Sequence, residues 1–560
     1  MIARLTLGIG VLLAAGCGGG TTGPLPPDPA DCTAPLVVTL GVGSHQVADP
    51  AGSRGCLRLG GAAADEEYLL AVFSGSGKET TTGVAGPFTV RIGNEGAVTA
   101  TGPFPSSPPA PQFAWATQAP PLSEADRFHS MLRQREAELA RTVSPGPAAA
   151  PGGPALAPQV GEQRTFKVCA NSECKAFNDV VAKVRAVGQK VAIYADEANP
   201  EFAESLQDGD YAELVTAWDD HLHPIATSAF GAESDIDNNG VVLILITKRV
   251  NDFTTNCAQG RVVGYFFGAD LLETFTNSNK SEVFFTFAPS PATAQCSMLA
   301  RRTVLNQLKP TLIHEFQHMI SFNQHRLIRN GSQEETWLNE GLSHLAEDLA
   351  GQLIPNAACP GSTSCRGLYA TPNLFNAHSY LGNTEAHALV FEGTSTGTLA
   401  ERGAGFLFVR WLLDRNGTGE NGFIFTRALV ATNRLGQANL EAVTGQPMAR
   451  LVGEWLATNY TDDLPGFPDP TGRLNFATWN FRTVMDNPAN SSLFPGGFPL
   501  KPEVVLQQLT RSGTLRAGSG RYFLLRPGGT VKDLLLTGAA GSSLQPDRAL
   551  EARVAVVRIR

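Results

Sequence analysis

Hydrophobic and polar positions change their period several times along the chain. Between residues 32 and 104, short runs at 36–40, 68–73 and 88–92 are rich in Val, Leu and aromatics and are separated by Gly-rich turns. This pattern predicts a small β-sandwich. Residues 105–160 are rich in Pro, Ala and Gly and read as a linker. One helix interrupts it over about 123–141, opened by the capping pair Ser123 and Asp126. From 161 to 300 strands and helices alternate. Strands are predicted at 165–168, 191–194, 241–247, 262–267 and 283–287, and helices at 176–187 and 210–221. Over 301–465 apolar residues recur at helical spacing, in 311–323, 337–349, 405–413 and 440–457, with Pro310 suited to a first helical position. Residues 466–510 are irregular, and 511–560 return to strand-like alternation that predicts a C-terminal β domain. The expectation is a multidomain α+β chain.

The N-terminus has a different character. Arg4 precedes a short apolar run, 5–15, too short to span a bilayer, and Ala14-Ala15-Gly16-Cys17 follows. The segment resembles a bacterial lipobox, which implies an acylated Cys17, with 18–31 as a tether. Ala14 departs from the usual Leu, and an ordinary secretory peptide cut nearby is the alternative. Either reading exports the protein, to the outer membrane or cell surface as a lipoprotein or onward to the medium.

Composition agrees with export. Apart from Cys17, eight of the nine cysteines remain. They fall as neighbours in sequence, so proximity suggests 32–56, 169–174, 257–296 and 359–365 as disulfides, one pairing among many. No pair has the C-x-x-C spacing of a zinc site. With 560 residues, 42% apolar, the chain can bury large cores. Its net charge of −9 and lack of a long basic run point away from nucleic acid, and leave the lipid anchor as the one expected membrane contact.

The chemistry concentrates at His314-Glu315-Phe316-Gln317-His318. On a helix, residues four apart share a face, so both imidazoles can reach one ion at about 2.0–2.1 Å. Glu315 projects about 100° away, where a carboxylate can take a proton from an activated water and pass it to a leaving amine. H-E-x-x-H therefore suits zinc-dependent hydrolysis. The longer metzincin motif fails, because Ser321 and Gln324 occupy its Gly and final His positions. His325 is one residue out of register and is expected at a solvent-facing helix end.

A third ligand is available downstream. Glu340, within Trp337-Leu-Asn-Glu-Gly341, lies on a following predicted helix, and two His, one Glu and a water make an open tetrahedral site. H-E-x-x-H paired with W-L-N-E-G resembles the gluzincin metallopeptidases, with slightly longer spacing than in aminopeptidase N relatives. A closer resemblance is to the hyicolysin family of bacterial secreted metallopeptidases. It is carried by 235–240 with its apolar strand, 263–266, 314–323 (HEFQHMISFN), 336–343 (TWLNEGLS) and 403–414, together roughly residues 165–460. The resemblance implies a zincin-like catalytic unit with an α/β N-terminal and a helical C-terminal subdomain. It implies a zinc peptidase with His314, His318 and Glu340 as ligands and Glu315 as base. No G-x-M-E-N-like segment precedes the motif, so an endopeptidase acting on polypeptides outside the cytoplasm is expected.

Other residues are assigned more loosely. A thermolysin-like site places Asp four residues after the Glu ligand; here that position is His344, which shares a face with Glu340 and Glu347. His344 could hydrogen-bond a ligand, replace one, or cap the pocket. Tyr380, backed by His378 and His387, is the candidate transition-state donor, against a plain packing role. Asp235-Ile-Asp-Asn-Asn-Gly240 begins like a calcium loop, but Ile246 stands where the loop's last Glu belongs, so a turn into a buried strand is preferred to calcium. Two other functions stay open: a surface adhesion lipoprotein on an inactive peptidase fold, and a non-proteolytic zinc hydrolase of the cell envelope.

Overall fold

The computed structural model describes residues 30–61, 63–78, 86–100, 123–143, 156–359, 362, 364–391, 397–417, 419–538 and 550–560. The leader 1–17 with Cys17, most of the tether and the greater part of the linker lie outside these residues.

The first five strands are β1 (Leu36–Val37), β2 (His45–Ala48), β3 (Cys56–Leu59), β4 (Tyr68–Ser74) and β5 (Gly86–Asn94). They are followed by α1 (Glu124–Thr142), whose N-cap Ser123 and Asp126 form a reciprocal capping box. A six-stranded sheet comes next, built from β6 (Gln163–Cys169), β7 (Phe177–Val187), β8 (Val191–Asp196), β9 (Val242–Ile246), β10 (Gly264–Phe266) and β11 (Val283–Thr286), in the order β10-β11-β9-β8-β7-β6. Its centre, β11-β9-β8, is parallel, and β10 runs antiparallel to β11 along one edge. Helices α2 (Asp208–Ala217), α3 (His223–Phe230) and α4 (Lys248–Asn251) lie within this part. The strand β7 replaces the helix expected over 176–187. Val180, Ala182 and Val184 are buried while Val181 is 44% exposed, a period of two that the helix-forming Ala and Lys in the segment disguise.

The helical part comprises α5 (Arg301–Phe322), α6 (Thr336–Leu353), α7 (Cys365–Leu381), α8 (Leu399–Asn416), α9 (Glu420–Val430), α10 (Gly436–Thr444), α11 (Met448–Thr461) and α12 (Phe481–Asp486). Two boundaries differ from expectation. Pro310 lies inside α5, nine residues past its start, because buried Leu305, Leu308 and Leu312 hold helix on both sides of it. That packing offsets the roughly 3 kcal/mol that an interior proline costs. The run 440–457 is two helices, broken where Gly445 takes the left-handed conformation (φ 66°) and Pro447 caps α11.

The last strands are β12 (Glu503–Val505), β13 (Leu509–Leu515), β14 (Gly520–Leu525), β15 (Lys532–Thr537) and β16 (Ala552–Arg558). They correct the expectation of two separate flanking β domains. Both sheets of a single sandwich mix the two ends of the chain, in the orders β1-β3-β15-β5-β13 and β12-β14-β4-β16-β2. Between the sheets Leu70, Val72, Val90, Phe523, Leu534 and Val556 form one core. The physical reason is edge satisfaction: β4 alone has two open edges, and β14 and β16 fill both. The helical and α/β parts are thus inserted between β5 and β12 of one sandwich. Among the described residues the disulfides are Cys32–Cys56, Cys169–Cys174, Cys257–Cys296 and Cys359–Cys365.

Candidate metal centre

Helix α5 crosses the sheet beside β10, with Phe316 packed on Trp218 and Phe284. That buried face orients the opposite one, where His314 and His318 stand one turn apart with ring centroids 5.0 Å from each other. Helix α6 packs on α5 and brings Glu340 against both rings. His314 Nε2 is 3.5 Å from Glu340 Oε2, and His318 Nε2 is 3.5 Å from Glu340 Oε1. Gly341 allows α6 this position. A Cβ there would meet Val409 Cγ2 at 2.8 Å and the Gly405 carbonyl at 3.1 Å, so α6 and α8 approach closely only because the residue after Glu340 is glycine.

This cluster fits a metal. One ligand atom from each of His314, His318 and Glu340 lies within 4.8 Å of the others. Bonds of about 2.0–2.1 Å in a tetrahedral site put ligand atoms about 3.4 Å apart, close to the two 3.5 Å separations. Two imidazoles, one carboxylate and an open position are the donor set of catalytic zinc. A second group, His314, His344 and Glu347, shares one histidine with the first.

Glu347, which the sequence left unassigned, is a further candidate site residue. His314 Nδ1 lies 2.6 Å from Glu347 Oε1, and His344 Nδ1 is 3.3 Å from the same oxygen. The carboxylate that orients the first histidine therefore sits seven residues after Glu340, two helical turns on, in place of four. That spacing on a shared face was the available signal. His344 packs edge-on to His314 at 4.9 Å and stands beside Glu347, adjacent to the cluster.

Burial shapes the protonation states. It opposes the imidazolium of His314, yet the Glu340 and Glu347 carboxylates outweigh it and raise the pKa to about 10. His318 lacks a second carboxylate, and burial together with Arg133 lowers it to about 3. Burial also opposes the Glu347 carboxylate, but His344 and His314 hold it at about 2. Burial likewise works against Glu340, and hydrogen bonding to the two imidazoles keeps it far below the usual range. A dication at this site would need both imidazoles neutral, which costs one proton from His314 and none from His318.

Glu315 is 3% exposed. Its Oε2 accepts the Phe266 N–H at 2.9 Å and lies 3.5 Å from Arg133 Nη2 of α1. Burial pushes its carboxyl above the ordinary range, against the pull of His314 and Arg133. A cleft of about 590 Å³ opens alongside, lined by Arg133, Glu136, Phe266, His318, Glu334 and Asn339 among others.

No family model matches the chain. A stretch of 137 residues is 34% identical to the neutral metalloprotease ShpI of Staphylococcus hyicus. It covers 24% of this chain and 29% of that protein, so the match spans under a third of the relative's length. The similarity supports a metallopeptidase relationship, and the His and Glu groups are consistent with a metal cofactor.

Other expected residues lie elsewhere. Tyr380 is fully buried with its ring stacked on Trp455 of α11 at 5.5 Å, in the core that joins α7 to the sandwich. His378 packs on Phe494 and contacts the Gly497 carbonyl through Nε2 at 3.1 Å. His387 is buried near Glu401 and Arg516. His325 is 1% exposed, not solvent-facing, because a π-helical turn, Asn323–Ile328, continues α5 and turns it toward Glu334, 4.0 Å away. The segment around Asp235 is a turn closed by its own side chains: Asp235 Oδ1 accepts the Gly240 N–H and Asn239 Oδ1 the Val241 N–H. Glu282 joins Asp235 and Asp237 there.

Proposed function

We propose that this chain is an exported zinc metalloendopeptidase, with His314, His318 and Glu340 as ligands and Glu315 as general base. The observation that carries the reading is the joining of both imidazoles through one carboxylate, with Glu315 beside the edge strand β10. Bound there, zinc would lower the pKa of a water and polarise a scissile carbonyl. The chain's own groups do the rest. Glu315 takes the proton from the attacking water and returns it to the leaving amine. Its burial strengthens its basicity for that step. Glu347 holds His314 in the tautomer that presents Nε2 to the cluster. The open edge of β10, where Phe266 directs its C=O away from β11, offers an extended polypeptide a backbone acceptor, while the Phe266 N–H holds Glu315 in place.

Four disulfides suit an oxidising compartment outside the cytoplasm. Among the described residues no helix is long and apolar enough to cross a membrane. Attachment is assigned to lipid on Cys17, and the intact mass of the exported protein tests it.

The function is tested by casein degradation with zinc-loaded residues 18–560, assayed intact and after limited proteolysis of 105–160, beside Glu315→Gln. Hydrolysis that drops by about 100-fold or more in the variant, with zinc content unchanged, supports the reading. Casein left untouched by every zinc-loaded form rejects it.

A further inference from the structure

Helix α1 comes from the Pro-, Ala- and Gly-rich stretch between the sandwich and the central sheet, yet its polar side chains meet the rim of the metal centre. Arg133 Nη2 donates to the Phe266 carbonyl at 3.2 Å and lies 3.5 Å from Glu315 Oε2. Arg133 Nη1 donates to Glu136 Oε2 at 2.6 Å, and Glu136 Oε1 accepts the Gly268 N–H. The apolar side of α1 is seated as firmly: Phe128 stacks on Phe253 at 4.6 Å and meets Tyr265 edge-on at 5.3 Å. At its start Glu124 accepts the Thr255 and Asn256 N–H groups, and Asp126 pairs with Arg402 at 2.8 Å.

The groups that α1 engages are those a peptide would use. Among the described residues β10 has one strand neighbour, β11, so its other edge is where an extended chain would pair. Arg133 takes the Phe266 carbonyl on that edge, and Glu136 takes the N–H of Gly268 just beyond it. Among the described residues α1 contributes no strand to any of the three sheets, and no disulfide ties it down, since the paired cysteines all lie outside 123–143.

We propose that α1 is an inhibitory strap laid along the substrate edge of the cleft, so that the full chain is latent until α1 is displaced. This rests on the peptidase reading above.

The test uses the full chain with recognition sequences for a sequence-specific protease placed within 101–122 and 144–155. Casein hydrolysis, bound zinc and retained fragments are measured before and after cutting. A labelled synthetic peptide of residues 123–143 is titrated into the cut protein by fluorescence anisotropy, which reads binding without turnover. Arg133→Ala in the uncut chain is the companion variant. The expected result is a rise in hydrolysis of about tenfold or more when 123–143 leaves, at constant zinc, and a smaller rise for Arg133→Ala. The peptide should restore inhibition, and its Arg133→Ala form should bind about 30-fold more weakly or worse. Hydrolysis that is unchanged or falls when α1 leaves overturns the strap and makes α1 a working wall of the site. Failure of the peptide to bind also overturns it. Peptide binding that needs Arg133, with casein uncut in every form, would reject the peptidase reading while leaving the occupancy of the cleft by α1 in place.

Discussion

His314 Nδ1 and Glu347 Oε1 are 2.6 Å apart, and this contact ties the first helix of the candidate metal centre to the second. It fixes which imidazole nitrogen faces Glu340 and places a buried negative charge behind the site. Replacing Glu347 by Gln should keep the fold and weaken zinc binding by about 10–100-fold, measured by competition with a chelator. Unchanged affinity would mean that the contact is packing alone.

The same pair makes the metal-free protein sensitive to pH. The pKa of His314 is raised to about 10, so its stabilisation is complete below the unfolded value of about 6.5 and is lost as pH rises toward 10. The pKa of Glu347 is lowered to about 2, so its contribution is present above about 4.5 and is lost as pH falls toward 2. The melting temperature of the apoprotein minus that of Glu347→Gln should therefore be greatest between about pH 4.5 and 6.5 and shrink above it. Zinc affinity should rise over the same upper range, because binding releases the His314 proton. A difference that does not vary with pH would contradict the assignment.

Gly341→Ala should destabilise by about 1–3 kcal/mol, since its Cβ would press on Val409 and the Gly405 carbonyl. The α6–α8 contact would open and carry Glu340 with it. Denaturant unfolding gives the first effect, and zinc affinity, expected to fall together with stability, gives the second.

Tyr380→Phe should leave casein hydrolysis within about twofold of the parent. The ring is committed to Trp455, and its hydroxyl has no hydrogen-bond partner among the described residues. Removing a buried, unpaired hydroxyl should hold stability or raise it by up to about 1 kcal/mol. A large loss of turnover at unchanged stability would return Tyr380 to the site.

Residues 30–100 should not fold alone. β4 has its neighbours in β14 and β16, and β5 in β13 and β15, all from the other end of the chain. Amide exchange on the isolated fragment should show no protected sheet, and adding residues 500–560 should restore it. Protection in the fragment by itself would contradict the single sandwich.

The sequence by itself determined what local spacing can specify. Residues four apart on a helix place His314 and His318 on one face, a Ser and an Asp three apart cap α1, and runs such as 241–247 cross the core as strands. Neighbouring cysteines likewise lie close enough in the chain to pair. Where two periods compete, as in the Ala- and Lys-bearing segment of β7, local spacing fails and burial against the adjoining strands decides. The tertiary structure alone decided the contacts between distant segments. Those are the closing of two chain ends into one sandwich, the burial of His325 and Tyr380, the docking of Glu347 behind His314, and the laying of Arg133 across Glu315. Each depends on how elements pack after they form, and a helical or extended period carries no record of which partner its face will meet.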